Sequence, residues 1–244
     1  NIDTAITISK LCKEFPSLKM IILVGIAGGS KDSKIGDVVV SSEIFGETYY
    51  TITNKSDYSK SRQYTRTNET ILEIREKDEG GDSELRLIVR HKPITTMNLD
   101  SIIKNFNEDK TKNTQRWKKI IKKYLEGGNV QRWKKDEIIK NGPKIIPGRI
   151  WSSNHNMRNK VIRDQLASTP NGVNAFDMEG NGLALAAGIF ERKFVEIRGI
   201  SDMSDGKRKQ KEDKKNQFIA IATASACLES LLPRILQHIN LKEI

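Results

Sequence analysis

Cysteine and histidine are scarce in this sequence: Cys12 and Cys227, with His91, His155 and His238, are the only ones in 244 residues. Two cysteines cannot staple a small disulfide-rich fold, and no Cys/His cluster stands at ligand spacing, so no metal is expected. Both cysteines fall within apolar helical patterns, where a buried reduced thiol is the natural reading and a reducing cytosol the fitting compartment. Long hydrophobic runs are missing too. No stretch of about 18 apolar residues is there to cross a bilayer, and Asn1 to Lys10 lack the basic start and apolar middle of a signal peptide. The expectation is a cytoplasmic chain without a membrane partner.

With 36% hydrophobic and 30% charged residues, the chain has enough apolar material for one sizeable core and reads as a single domain over 1–244. The formal net charge is +11, and it is concentrated. Residues 101–145 hold thirteen Lys and Arg against five Asp and Glu, and residues 205–215 hold six against three. These two stretches carry the whole excess, so the basic character belongs to two local surfaces that could face phosphates.

Ala5, Ile6, Ile8, Leu11, Cys12 and Phe15 recur at helical spacing, and an apolar strand follows over Lys19 to Val24, ending in glycines. Lys34-Ile35-Gly36-Asp37 reads as a turn into Val38-Val39-Val40, whose β-branched run suits a strand covered on both faces. From Thr51 the pattern becomes polar. Glu79-Gly80-Gly81-Asp82 ends a helical stretch, Leu85 to Val89 forms a strand, and order returns near Ile145, so 51–145 is expected to be a basic insertion. Within it Gln115-Arg116-Trp117-Lys118-Lys119 recurs as Gln131-Arg132-Trp133-Lys134-Lys135, with Gly127-Gly128 between. Two short basic helices around a glycine turn are predicted, with Trp and Ile as the apolar stripe. Beyond it come a strand at Arg149 to Ser152, a helix at Met178 to Ala187, a strand at Phe194 to Ile200 and a closing helix at Gln217 to His238. This alternation predicts an α/β domain with helices on both faces of the sheet and ligands beyond the strand carboxyl ends.

Three segments at such ends carry chemistry. Gly25-Ile26-Ala27-Gly28-Gly29 lets a ligand approach the backbone, although an ordinary tight turn reads the same way. Asp177-Met178-Glu179-Gly180 puts carboxylates before an apolar helix, as partners of its dipole or as acceptors for the cis-diol of a ribose. In Arg198-Gly199-Ile200-Ser201-Asp202 the terminal acid could protonate a purine nitrogen, or else cap a helix.

Their joint appearance, in this order and with Lys34-Ile35-Gly36-Asp37-Val38-Val39-Val40 after the glycines, resembles the nucleoside phosphorylase and methylthioadenosine/S-adenosylhomocysteine nucleosidase superfamily over residues 1–50 and 145–240. The ending from Ile197 to Asp205, followed by lysines and an alanine-rich helix, is similar to nucleosidase-like effector domains of antiphage and NLR-type proteins. The resemblance implies a three-layer α/β/α fold with a central mixed sheet and a purine nucleosidase releasing adenine from a nucleoside or from ATP or AMP. No cofactor is implied. Asp202 would protonate the leaving base, Glu179 with Met178 would hold the ribose, Ala27 and Gly28 would line the sugar, and Asn156 and Met157 would flank the base.

Ile26 stands where phosphorylases of this type carry a phosphate-binding Ser or Thr, which favours water as nucleophile; a phosphate-dependent phosphorylase is the alternative. The family's first strand, whose loop supplies the water-activating glutamate, has no counterpart here, so that base is unassigned. Lys207 and Arg208 would hold a substrate's 5′-phosphates, or simply form a solvated loop. The basic insertion is expected either to bind nucleic acid through its cations with Trp117 and Trp133 stacking, or to dock an upstream sensor domain or subunit. A homo-oligomer accords with the superfamily.

Overall fold

Val38, Val39 and Val40 are each buried, as a β-branched run covered on both faces should be. In the computed structural model they open the second strand of a mixed sheet. The structure describes residues 2–46, 50–53, 62–66, 69–77, 84–91, 94–108, 112–126, 128, 130–153, 157–158, 160–168, 172–205 and 210–240.

The first half of the chain forms α1 (Ile2–Glu14), β1 (Met20–Gly29), β2 (Val38–Gly46), β3 (Tyr50–Thr53), β4 (Arg62–Arg66), β5 (Glu69–Lys77), β6 (Glu84–His91), β7 (Ile94–Thr95) and α2 (Asp100–Glu108). The second half forms α3 (Lys112–Glu126), α4 (Arg132–Asn141), β8 (Ile145–Ser152), α5 (Lys160–Ala167), β9 (Val173–Asp177), α6 (Gly180–Ile189), β10 (Lys193–Asp202) and α7 (Gln210–Asn240).

β1 runs parallel to β10, β10 pairs antiparallel with the start of β2, and β2 runs parallel to β8. β8 then runs parallel to β9, and β9 returns to β1 at Gly28 and Gly29. The five strands thus close into a ring, while β7 pairs with Glu43 and Ile44 further along β2. Ala27, Val39, Ile150, Ala175 and Ile200, one from each strand of the ring, pack together as a small apolar cluster. Helices cover both faces. On one side α2, α3 and α7 bring Ile103, Trp117, Ile121 and Ile235 against Val38, Val195 and Ile197; on the other α1 and α6 bring Ile8, Cys12 and Leu183 against Ile21, Ile44 and Phe194. This is the three-layer arrangement with a central mixed sheet.

Several expectations change in detail. β1 does not stop at Val24 but continues through Gly29, so the glycine segment is strand rather than turn; only Gly36, at φ +89°, takes the left-handed conformation of the turn that follows. The stretch before Glu79, expected as helix, is β5, and it lies with β3, β4 and β6 in a separate four-stranded antiparallel sheet. Order does not wait for Ile145: α2 and α3 are integral to the largest core cluster.

The echoed pentapeptides both lie on helices, α3 and α4, yet their tryptophans part ways. Trp117 is buried, meets Phe106 edge-on and donates from Nε1 to the Pro143 carbonyl at 3.3 Å, whereas Trp133 is exposed. A stacking role for Trp117 is thereby removed. Finally, one helix among the described residues, Glu212–Ile239 within α7, is long and apolar enough by length and composition to cross a membrane. Its buried residues Ala220, Ala224, Cys227 and Leu231 pack within the core, and the Ala220 carbonyl sits where a Cβ on Gly199 would lie, so α7 is a core helix pressed onto β10.

Candidate active site

Between Phe194 and Ile200 strand β10 is apolar except at two places, and those two charges organise the site. Glu196 and Arg198 stand two residues apart, on the same face of the strand, and both are buried. A cation there requires partners, because an unpaired buried charge is strongly disfavoured. Arg198 Nε donates to Glu196 Oε1 at 2.7 Å, and Nη2 donates to Asp177 Oδ2 at 2.5 Å and to Glu179 Oε2 at 2.9 Å. Burial works against its charge, but the three carboxylates outweigh burial and raise its affinity for the proton. The remaining nitrogen, Nη1, lies over Gly25 on the facing strand, where any Cβ would collide with it.

Asp177 ends β9 and is itself fixed. Its Oδ2 accepts the backbone N–H groups of Gly180 at 2.9 Å and Glu179 at 3.2 Å, at the start of α6, where the helix dipole favours a carboxylate. Ser152 Oγ accepts a further N–H of this turn, from Asn181, at 2.9 Å. Glu179 is the N-cap residue of α6 and differs from its neighbours: its side chain is 46% exposed, so a carboxylate anchored through Oε2 keeps Oε1 available to a ligand.

Asp202 ends β10 opposite. Its Oδ1 accepts the Ser204 N–H at 2.9 Å, the local bond of a capping aspartate, and its Oδ2 lies 3.1 Å from Ser201 Oγ. Ser201 Oγ also lies 3.2 Å from the Ala27 carbonyl. A hydroxyl has one proton, so when Ser201 donates to Ala27 it can accept from a protonated Asp202, and when Asp202 is ionised the hydroxyl can turn to it. The pair therefore accommodates both protonation states. Gly28 faces it on β1, and a Cβ there would meet Ser204 Oγ and approach Asp202 Oδ1 to 3.2 Å, so glycine is what allows the strands to close here.

These groups border one cavity of about 640 Å³, of the size typical of small-molecule sites. Ala27, Gly28, Met157, Met178, Glu179 and Asp202, all singled out from sequence, are brought together on its walls. Asn156, Lys207 and Arg208 lie outside the described residues. Sequence reasoning missed Phe176, Phe218 and Ile221, which add an apolar wall, assigned no part to Arg198 or Glu196, and read Asp177 only as one of the carboxylates before a helix. A signal for Glu196 and Arg198 was present: two opposite charges two residues apart in the otherwise apolar run from Phe194 to Ile200 announce a buried ion pair. Phe218 and Ile221 had none, since α7 reaches the site only through tertiary packing.

A family profile described as Phosphorylase superfamily matches residues 1–233. The chain belongs to this superfamily. Solved structures of similar fold include a 5′-methylthioadenosine/S-adenosylhomocysteine nucleosidase from Neisseria meningitidis in complex with methylthio-immucillin-A, at 16% identity and TM-score 0.55 over 95% of this chain and 76% of that one. The corresponding enzyme of Colwellia psychrerythraea, in complex with adenine, aligns at 17% identity and TM-score 0.54 over 94% of this chain and 72% of that one. Futalosine hydrolase of Helicobacter pylori aligns at 15% identity and TM-score 0.54, over 95% and 74%. No curated protein matches this chain. At these identities the structural likeness speaks for the superfamily fold; the chemistry rests on the site.

Proposed function

We propose that this member of the superfamily is a purine nucleosidase, hydrolysing the N-glycosidic bond of an adenine nucleoside or nucleotide. The observation that carries the reading is the placement of Asp202, with its Ser201 partner, and of the half-exposed Glu179 on the walls of a single cavity. Glu179 Oε1 would accept the ribose hydroxyls while Arg198 holds the other oxygen. Asp202 would donate a proton to the purine as the C1′–N bond breaks, which helps the base leave from an oxocarbenium-like sugar. Water then adds its oxygen to C1′ and releases the proton that restores Asp202, giving free base and free sugar. Met157, Met178, Phe176 and Phe218 supply apolar surface for the base and sugar faces.

Two observations refine the reading. Ile26 lines the cavity with a side chain that offers no hydrogen bond, which favours water over inorganic phosphate as nucleophile. Lys207 and Arg208 follow Asp202 closely in sequence, and on that ground the finer proposal is an adenine nucleotide, ATP or AMP, with these cations on its phosphates. The similarity of the Ile197–Asp205 ending to antiphage effector domains supports a role in depleting nucleotides during infection.

Incubation with ATP, AMP, adenosine and methylthioadenosine, with and without phosphate, tests this by following free adenine. Release without phosphate is expected; strict dependence on phosphate would make the chain a phosphorylase. Neutralising Lys207 and Arg208 should weaken cleavage of ATP and spare adenosine, and equal effects on both would remove the nucleotide reading.

A further inference from the structure

Arg198 Nε–H and both Nη2 protons are accounted for by Glu196, Asp177 and Glu179, but two oxygens among their partners are not. Asp177 Oδ1 and Glu196 Oε2 are buried without a hydrogen-bond donor. Both side chains are fully buried, at 0% exposure. The two oxygens border the same spot, since a Cβ on Gly180 would collide with Glu196 Oε2 and lie 3.3 Å from Asp177 Oδ1, and the two side chains are within hydrogen-bonding reach of each other. Two ionised carboxylates facing each other in a dry interior would leave both orphaned and mutually repelled. A single proton between them satisfies both.

We propose that Glu196 is a positioning residue of the site, neutral at physiological pH, whose carboxyl proton bridges to Asp177 Oδ1 so that the pair acts as one monoanion clamping Arg198 beneath Glu179. The charged and titratable groups facing Glu196 are Asp177 from β9 and Arg198 from its own strand, with Glu179 at the start of α6 held on the far side of Arg198, while the Ser41 hydroxyl of β2 accepts its backbone N–H at 2.8 Å. Burial first, and then the Asp177 charge, push the Glu196 carboxyl well above the ordinary glutamate range, with Arg198 opposing them. Such sharing of one proton between adjacent carboxyls is the general outcome when like charges cannot both ionise.

The consequence for function rests on the nucleosidase reading above. With Glu196 neutral, Arg198 balances the Asp177 charge and still attracts Glu179, whose anchored oxygen leaves the other to the ribose. With Glu196 ionised or deleted, the guanidinium loses either its charge balance or its Nε acceptor, and Glu179 loses its register. Glu196→Gln preserves both contacts, because the amide can donate to Asp177 and accept from Arg198 Nε. Glu196→Leu removes both at similar volume.

The decisive measurement is infrared difference spectroscopy of the whole chain, wild type against Glu196→Gln at neutral pH, with ¹³C-glutamate labelling to assign the bands. A protonated carboxylic acid stretch that shifts on labelling and is absent from Glu196→Gln is expected; a wild type with carboxylate bands only would overturn the shared proton. Kinetics on adenosine test the positioning role separately. Glu196→Gln should keep kcat/KM within about threefold, and Glu196→Leu should lose about tenfold or more, chiefly through KM, as a buried group left without its partner predicts. Equal kcat/KM for folded Gln and Leu variants would overturn the positioning role. If Leu does not fold, a Gln variant with a large rise in KM overturns it instead. Should the wild type release no adenine, the nucleosidase reading fails while the infrared result still decides the proton.

Discussion

Two regions of this molecule concentrate charge, and they do so in opposite ways. Around Arg198 one cation serves three carboxyl groups, two of which, Asp177 and Glu196, lie in a nearly dry interior at 0% exposure. Along α3 and α4, Arg116, Lys119, Lys122 and Arg132 stand exposed, and Lys123 with Glu229 forms a surface pair. The basic helices dominate the net charge, yet the cavity lies by the sparse cluster. Desolvation is the reason. A surface pair contributes about 0–1 kcal/mol, whereas breaking a buried one costs several, so a buried cluster persists only where geometry determines each partner.

The sharpest way to break this comparison is Asp202→Asn, which should lower nucleoside cleavage by about 10²-fold or more while leaving the fold intact, as measured by adenine release beside circular dichroism. Activity within a fewfold of wild type would transfer the acid to another group. Next, Arg198→Met should cost about 3–5 kcal/mol in denaturant unfolding by stranding buried carboxylates, whereas Arg132→Met on the exposed helix should change stability by less than about 0.5 kcal/mol. The echoed pentapeptides offer a matched pair: Trp117→Ala should cost about 3–5 kcal/mol and Trp133→Ala almost nothing, since Trp117 is 4% exposed and Trp133 63%. Similar losses at both would mean that Trp133 is covered in solution.

The smallest effect is in pH. Because the Glu196 carboxyl is raised in the folded state, the native protein holds its proton where the unfolded chain has released it, and stability falls as pH rises from the ordinary glutamate range through the folded value. Melting temperatures measured across that range should show this downward slope in the wild type and less of it in Glu196→Gln. Parallel curves would remove the linkage.

Much of the cavity was legible because its walls come from strand ends, and strand ends carry short motifs. The segments that hold Gly28, Glu179 and Asp202 could be marked from local pattern, since a glycine at a close approach and a carboxylate at a helix start each have a local physical reason, and the resemblance to the superfamily picked out the residues within them. The helical echo was legible as well, but not the fate of its tryptophans. Identical pentapeptides present Trp at the same helical phase relative to their own lysines, and only the neighbouring Phe106 and Pro143 give one of them a core to enter. The stretch 69–77 was read with the wrong period because Ile71, Leu72 and Ile74 do not alternate strictly with polar residues, and its pairing within a sheet is a context no single segment displays.

By itself, then, the sequence determined the alternation of strands and helices, the β-branched run at Val38–Val40, and the motifs that mark the strand ends. These depend on interactions between residues near in the chain, where side-chain periodicity and backbone freedom act directly. Only the tertiary structure decided that five strands close into a ring, that Phe218 and Ile221 of α7 reach the cavity, and that Asp177, Glu196 and Arg198 meet. Those outcomes depend on burial, which removes water from some charges and not others, and burial is a property of the packed molecule rather than of any segment.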